Sequence, residues 1–449
     1  MFALDQLIAA RDQMALSLGF HIILSCFGVG FPALIYLMHR RGIRRNDEVA
    51  LMLARRWSKV AAVLFAVGAV SGTIMSFEMG LLWPGLMSTY GDVIGLPFAM
   101  EGIAFFLEAI FLGIYLYGWD RLPPKVHLAT LIPIIVSGAF GTFCIIAVNG
   151  WMNAPSGFTM VNGVVTDIDP LAALFNDAVW GQSVHMFLGA YMVVGFLVAG
   201  VYAVGIRKGN NDEHHRLGLR YALALAAVAA VMQPFVGHVA GMRLAENQPS
   251  KVAAMELALK TETRAPLRIG GAIIDGEVRG AIEIPLLGSL LSTNSVNGSV
   301  PGFDAIPDNE EPPSNIVHWS FQIMIGLGSL LALFSVLFWW RERRKKSLMD
   351  SRVAMHFVTW SGIMAVIALE AGWVVTEVGR QPWIVNGYMT VGEAVTQNSA
   401  VWVSLAVIAV VYLALGIAVF AVLRSMSKRW KAGESDSLPS PYSPSVLSR

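Results

Sequence analysis

GIMAVIALEAGWVVTEVGRQPW, residues 362–383, places a carboxylate, Glu370, inside an otherwise apolar run. The stretch reads as the last turns of a membrane-spanning helix. Helical spacing puts Glu370, Trp373 and Glu377 on one face, at i, i+3 and i+7. Gly-Arg-Gln-Pro-Trp then stops the helix and sets a cation, Arg380, and an indole, Trp383, at the interface. An ionisable group at that depth costs roughly 2.5–3.5 kcal/mol on insertion scales, so it needs a partner, a metal or a water-filled cavity.

The 449 residues are 55% apolar and 14% charged, with mean hydropathy +0.59. So little polar surface could not cover a soluble globule of this size, and an all-α integral membrane protein is expected. A net charge of +1 gives no footprint for nucleic acid, and no such partner is expected. Cys26 and Cys144 lie in apolar runs; they suggest neither a disulfide framework nor a zinc site, and packing is their expected role. Arg11 and Asp12 precede the first apolar stretch without a small-residue cleavage site. A short interfacial helix running into the first span is expected there, with no removable signal.

Nine segments are long and apolar enough to span, at about 20 residues each. They lie near 15–38, 57–83, 97–118, 128–150, 182–206, 217–240, 316–340, 354–377 and 400–423. Arg40-Arg41, Arg44-Arg45 and Arg343-Arg344-Lys345-Lys346 crowd the connections on one side, whereas connections 88–96 and 151–181 hold no Lys or Arg. The positive-inside rule then places the N-terminus outside (periplasmic) and the C-terminus in the cytoplasm. The expected division is six spans within 1–240, an external loop at 241–315, three spans within 316–425, and a disordered cytoplasmic tail at 426–449.

With that orientation the intramembrane polar residues fall at one depth. His21, Glu78, Glu101, Asn149, His185, Met324 and Glu370 come from seven helices, and all lie in the outer half of the bilayer. Singly, each has a bland reading: a histidine bonded to a neighbouring helix, a core methionine, a solvated surface helix. Together they form a layer. His is the usual protein ligand of haem iron, Met is its common companion in electron-transfer haems, and a carboxylate suits an iron that keeps a position open. No C-X-X-C-H occurs, so a haem would be held non-covalently. Glu101 and Glu108 lie on nearly one face at different depths and can pass protons through the bilayer. In the loop, GMRLAENQPSKVAAMELALKTETRAP turns helical in character after Pro249, and Lys251 and Glu256 there would lie above the layer, where an amphiphilic substrate could arrive from lipid.

Several stretches together resemble subunit I of the cytochrome bd quinol oxidases. They are GFHIILSCFGVG, EGIAFFLEAIF, VNGWMNAP, GQSVHMFLGAY, QPSKVAAMEL, FQIMIGLG and EAGWVVTEVGRQPW, in order from about residue 5 to 425. GRQPW and QPSKVAAMEL are the specific elements. The resemblance implies a terminal oxidase of the bacterial inner membrane. It would oxidise quinol at the outer face and reduce O2 to water with cytoplasmic protons, contributing to proton motive force. It implies three haem groups: heme b558, heme b595 and heme d, or a b-type haem in place of the last. His185 and Met324 match the axial ligands of the low-spin haem. His21 and Glu370 match the ligands of the oxygen-reducing pair, with Arg380 and Trp383 as further cofactor-binding residues. Lys251 and Glu256 match quinol-site residues, and Glu101, Glu108 and Asn149 match residues of proton or oxygen access. A membrane partner of similar size, subunit II, is implied, often with a very small single-helix subunit, in contact with lipid. The weighed alternatives are a haem-b membrane anchor of a quinone-linked dehydrogenase and a haem-free transporter.

Three departures stand out. The spacing from Glu101 to Glu108 is seven where the best-known members have eight, so one of the two is expected to face differently than in those members. Gln322 stands where an Arg precedes the Met ligand by two residues, so a less positive field is expected there. Val366 stands where a Trp lies one turn before the Glu ligand. With a short loop and FEMGLLWPGLM, these features lean to the cyanide-insensitive branch.

Overall fold

The computed structural model describes residues 2–344 and 350–432. Lys345, Lys346 and the Ser- and Pro-rich tail from Gly433 lie outside the described residues. Among those described, nine helices are long and apolar enough to cross a bilayer. They are Gln6–Arg45, Glu48–Leu82, Pro84–Tyr117, Pro124–Asn153, Val179–Arg207, Glu213–Asn247, Ser314–Arg343, Arg352–Val378 and Val401–Lys431, taken below as spans 1 to 9.

Most run past the apolar segments read from sequence, because a helix continues through polar turns once its apolar turns have nucleated it. The N-terminal residues are accordingly not a separate interfacial helix; one helix runs from Phe2 to Arg45. Residues 426–431, expected in the tail, are the last turns of span 9.

Spans 1 to 4 pack as one bundle and spans 5 to 8 as a second. Span 1 joins them by packing on span 5, and span 9 lies outside, against spans 1 and 2. Small residues set the closest approaches, as expected where lipid removes the hydrophobic drive between helices. A Cβ at Gly195 of span 5 would come 2.7 Å from the Cβ of Ala226 in span 6. One at Gly362 of span 8 would come 2.6 Å from the Cα of Leu197.

The long loop after span 6 opens with a short helix, Pro249–Glu256, started by a proline whose missing N–H costs nothing there. Nested strand pairs follow, ahead of a second short helix, Leu287–Thr293. Leu267–Ile269 pairs with Ile282–Ile284, and inside that hairpin Ala272–Ile274 pairs with Glu277–Arg279. Asp275 and Gly276 both have positive φ, the two-residue hairpin turn that Asp-Gly favours.

Candidate functional site

A cavity of about 470 Å³ lies among spans 1 to 4, bounded also by spans 5 and 8. His21, Glu101, Glu108, Asn149 and Arg380 line it, and so do Trp373 and Glu377.

The His21 ring owes its place to span 2. A Cβ at Gly72 would come 3.0 Å from His21 Cε1, so a larger residue there would press on the ring and shift it. His21 Nδ1 is 2.8 Å from Ser71 Oγ, and that hydroxyl gives its own proton to Gly68 O at 3.0 Å. Ser71 therefore accepts from Nδ1–H, which leaves Nε2 with a free lone pair. A metal-ligating imidazole is oriented in this way.

The seven-residue spacing does not separate Glu101 from Glu108, because seven residues return close to the starting azimuth and both line the cavity. Glu108 sits between Gly28 of span 1 and Gly138 of span 4; a Cβ on either would lie 3.4 Å from its carboxyl oxygens.

Glu370 is not in the cavity wall. One of its oxygens lies against Gly19 of span 1, 3.6 Å from where a Cβ would stand, and Oε1 is buried without a hydrogen-bond partner. The carboxylate of span 8 that reaches the cavity is Glu377, seven residues further along the same face. Asn149 Nδ2 donates to its Oε1, and Arg380 Nη2 donates to its Oε2 at 2.6 Å. Trp373 precedes Glu377 by one turn. Arg380 is buried, with Nε and Nη1 unpartnered. Trp383 begins the strand Trp383–Val385 and does not line the cavity.

His185 and Met324 belong to spans 5 and 7 of the second bundle, where glycines of spans 6 and 8 make room for them. A Cβ at Gly237 would come 3.3 Å from His185 Cε1, and one at Gly372 would come 3.0 Å from Met324 Sδ. His185 Nδ1 is buried and unpartnered, while Gln233 Nε2 donates to the His185 carbonyl at 3.0 Å.

On the short helix, Lys251 and Glu256 are both buried. Lys251 Nζ donates to Asn153 Oδ1 at 2.9 Å. Burial first, and then the Arg380 guanidinium, push the Lys251 ammonium down to about 7, against the opposing pull of Glu377. Burial raises Glu256 to about 7, with Arg268 pulling it back. Glu256 Oε2 has no partner, which leaves it free to accept from a substrate hydroxyl.

The residues fit a haem protein. Two half-buried imidazoles each keep a ring nitrogen without a hydrogen-bond partner, a thioether lies in a glycine-cleared position, and a carboxylate is fixed by two donors. The roles of Trp373, Glu377, Ser71 and Asn153 were not evident in the sequence. The one available signal was the spacing of Trp373 and Glu377, an indole one turn before a carboxylate.

Residues 9–431 match the family described as Cytochrome bd terminal oxidase subunit I. A Bacillus subtilis (strain 168) protein, named provisionally as a cytochrome bd menaquinol oxidase subunit I, is 36% identical over 427 residues, 94% of this chain and 96% of that protein. Cytochrome bd ubiquinol oxidase subunit 1 of the same strain is 31% identical, covering 95% of this chain and 94% of its own length. Among solved structures, the bd oxidase from Geobacillus thermodenitrificans superposes with a TM-score of 0.91 at 38% identity, over 96% of this chain and 100% of that one.

Proposed function

The chain belongs to the cytochrome bd terminal oxidase subunit I family, the haem-binding subunit of a terminal quinol oxidase, and from that premise we propose how its residues divide the work. His185 and Met324 hold the low-spin haem, in keeping with the b558 type. His21 and Glu377 hold the oxygen-reducing pair, of b595 and d type or with a b-type haem in place of d. When bound, these groups supply the one-electron chemistry between quinol and oxygen.

The assignment of Glu377 in place of Glu370 rests on the cavity wall. The family pattern sets a Trp one turn before the ligating Glu. Trp373 and Glu377 meet it inside the cavity, whereas Val366 and Glu370 do not. Asn149 and Arg380 orient the carboxylate, and Ser71 orients His21.

Quinol is oxidised beneath the long loop, with Glu256 as acceptor of a hydroxyl proton and Lys251 beside it. Oxidation at the outer face and proton uptake from the cytoplasm make the reaction electrogenic. Protons then cross about 15–20 Å, most of the roughly 30 Å apolar thickness. Glu108 and Glu101 are stops on that route, and subunit II, with which a subunit I works, supplies the rest. A very small third subunit and a place in the bacterial inner membrane complete the proposal. A haem-b anchor and a haem-free transporter are both disfavoured by a cavity that pairs an oriented histidine with a fixed carboxylate.

The single observation that carries the reading is His21, oriented by Ser71, in one cavity with Glu377. Reduced-minus-oxidised and reduced-plus-CO spectra of the solubilised complex test it. A low-spin b signal with CO-reactive high-spin haem is expected, and a red-shifted chlorin band would identify heme d. A folded preparation without haem overturns it.

A further inference from the structure

Span 7 begins with a polar stripe that bonds the long loop. Asn315, His318 and Gln322 stand at i, i+3 and i+7, one helical face. Asn315 Oδ1 accepts from Ile273 N at 2.8 Å, and its Nδ2 donates to Ile273 O at 3.0 Å. Gln322 Nε2 donates to Arg268 O at 3.0 Å. His318 is 0% exposed, with Nδ1 2.7 Å from Met255 O and Nε2 3.0 Å from Gly270 O. Carbonyl oxygens only accept, so the two bonds exist together when both ring nitrogens carry protons.

Met255 directly precedes Glu256. Their helix has eight residues, too few to hold itself together without tertiary support. Its last carbonyls each find a donor. Ala258 N reaches Ala253 O at 2.9 Å, and Leu257 N reaches Ala254 O at 3.5 Å. His318 takes Met255 O, and Arg268 Nη1 reaches Glu256 O at 3.4 Å. Through Gly270 the same ring holds the hairpin that carries Arg268, the cation facing Glu256.

We propose that His318 is a positioning residue for quinol oxidation: it clamps the Glu256 helix to the hairpin and so holds the Glu256 carboxylate toward the substrate. The proposal rests on the reading of Glu256 as a quinol-site residue, deepens it, and assigns the loop's placement to span 7, the helix that also carries Met324.

The test uses the assembled two-subunit oxidase and the variants His318→Phe, His318→Gln and Glu256→Gln. Each is assayed with a quinol series and with an artificial donor that bypasses the quinol site, alongside reduced-minus-oxidised spectra and amide exchange over residues 249–274. His318→Phe keeps a ring but loses both donors. It should raise the quinol KM about tenfold and speed exchange in that segment, with donor-driven turnover and haem spectrum unchanged. His318→Gln, whose amide reaches one carbonyl, should fall between. An unchanged KM in His318→Phe together with impaired Glu256→Gln overturns the clamp and leaves the quinol site standing. Unchanged quinol kinetics in Glu256→Gln removes the site and the proposal with it. If His318→Phe does not assemble, His318→Gln decides by the same KM. If neither assembles, His318 is a folding residue and the proposal fails.

Discussion

Lys251 Nζ donates to Asn153 Oδ1 at 2.9 Å, tying the loop helix to the end of span 4. Asn153 Nδ2 donates to Asn149 O at 2.8 Å and to Asn149 Oδ1 at 3.2 Å. Asn149 donates to Glu377, and Arg380 closes the chain on the other carboxyl oxygen. A continuous polar chain thus runs from the loop to the cavity wall. Gly379 makes room for it, since a Cβ there would come 2.8 Å from Lys251 Cγ.

Breaking this chain at Asn153 leaves the Lys251 amine buried without its acceptor, a cost of about 1–3 kcal/mol. Asn153→Ala should therefore raise the quinol KM about tenfold while sparing turnover with an artificial donor. Steady-state kinetics with both donors check it. Equal loss with both would mean that the chain serves the cavity alone.

Glu377 and Glu370 are separated by their substitutions. Glu377→Ala should remove CO-reactive high-spin haem and oxygen turnover and keep the low-spin signal. Glu370→Ala, outside the cavity, should keep both signals. The reverse order in the CO spectra would return the ligand role to Glu370.

Ser71→Ala takes away the acceptor that holds His21 Nδ1–H. Loss of such a partner typically weakens a metal site about 10–100-fold. High-spin haem should then be lost from the variant on dilution or dialysis, measured as haem per protein, while the His185 signal stays constant. Retention equal to wild type would show that Ser71 does not orient His21.

Quinol oxidation should depend on pH through Glu256. Its carboxyl is raised by burial to about 7, so below that pH it is protonated and cannot accept a proton. Lys251, lowered by burial to about 7, is charged over the same acid range. Raising the pH through about 7 thus creates the ionised Glu256, and kcat/KM for quinol should climb and then level. The acid limb should vanish in Glu256→Gln. A limb that survives that substitution belongs to another group.

The nine spans were legible because lipid leaves the chain few options. Each backbone group must be bonded within its own helix, so an apolar run of sufficient length commits to one structure. The loop hairpin was less legible, since its strands are three residues long and only Asp275-Gly276 signals the turn.

By itself, the sequence determined the helical class, the apolar spans, and which polar side chains interrupt them, because polar side chains in apolar helices are too costly to be incidental. Tertiary structure decided which of them meet. Glu370 and Glu377 share one face of one helix, and the one local difference between them is the indole, Trp373, one turn before Glu377. Only the tertiary placement of span 8, packed on spans 5 and 7, sets Glu377 beside Asn149 and the cavity and leaves Glu370 against Gly19. Similarly, His318 reads as one more polar residue at the start of a span until the loop folds back and sets two carbonyl oxygens on its ring.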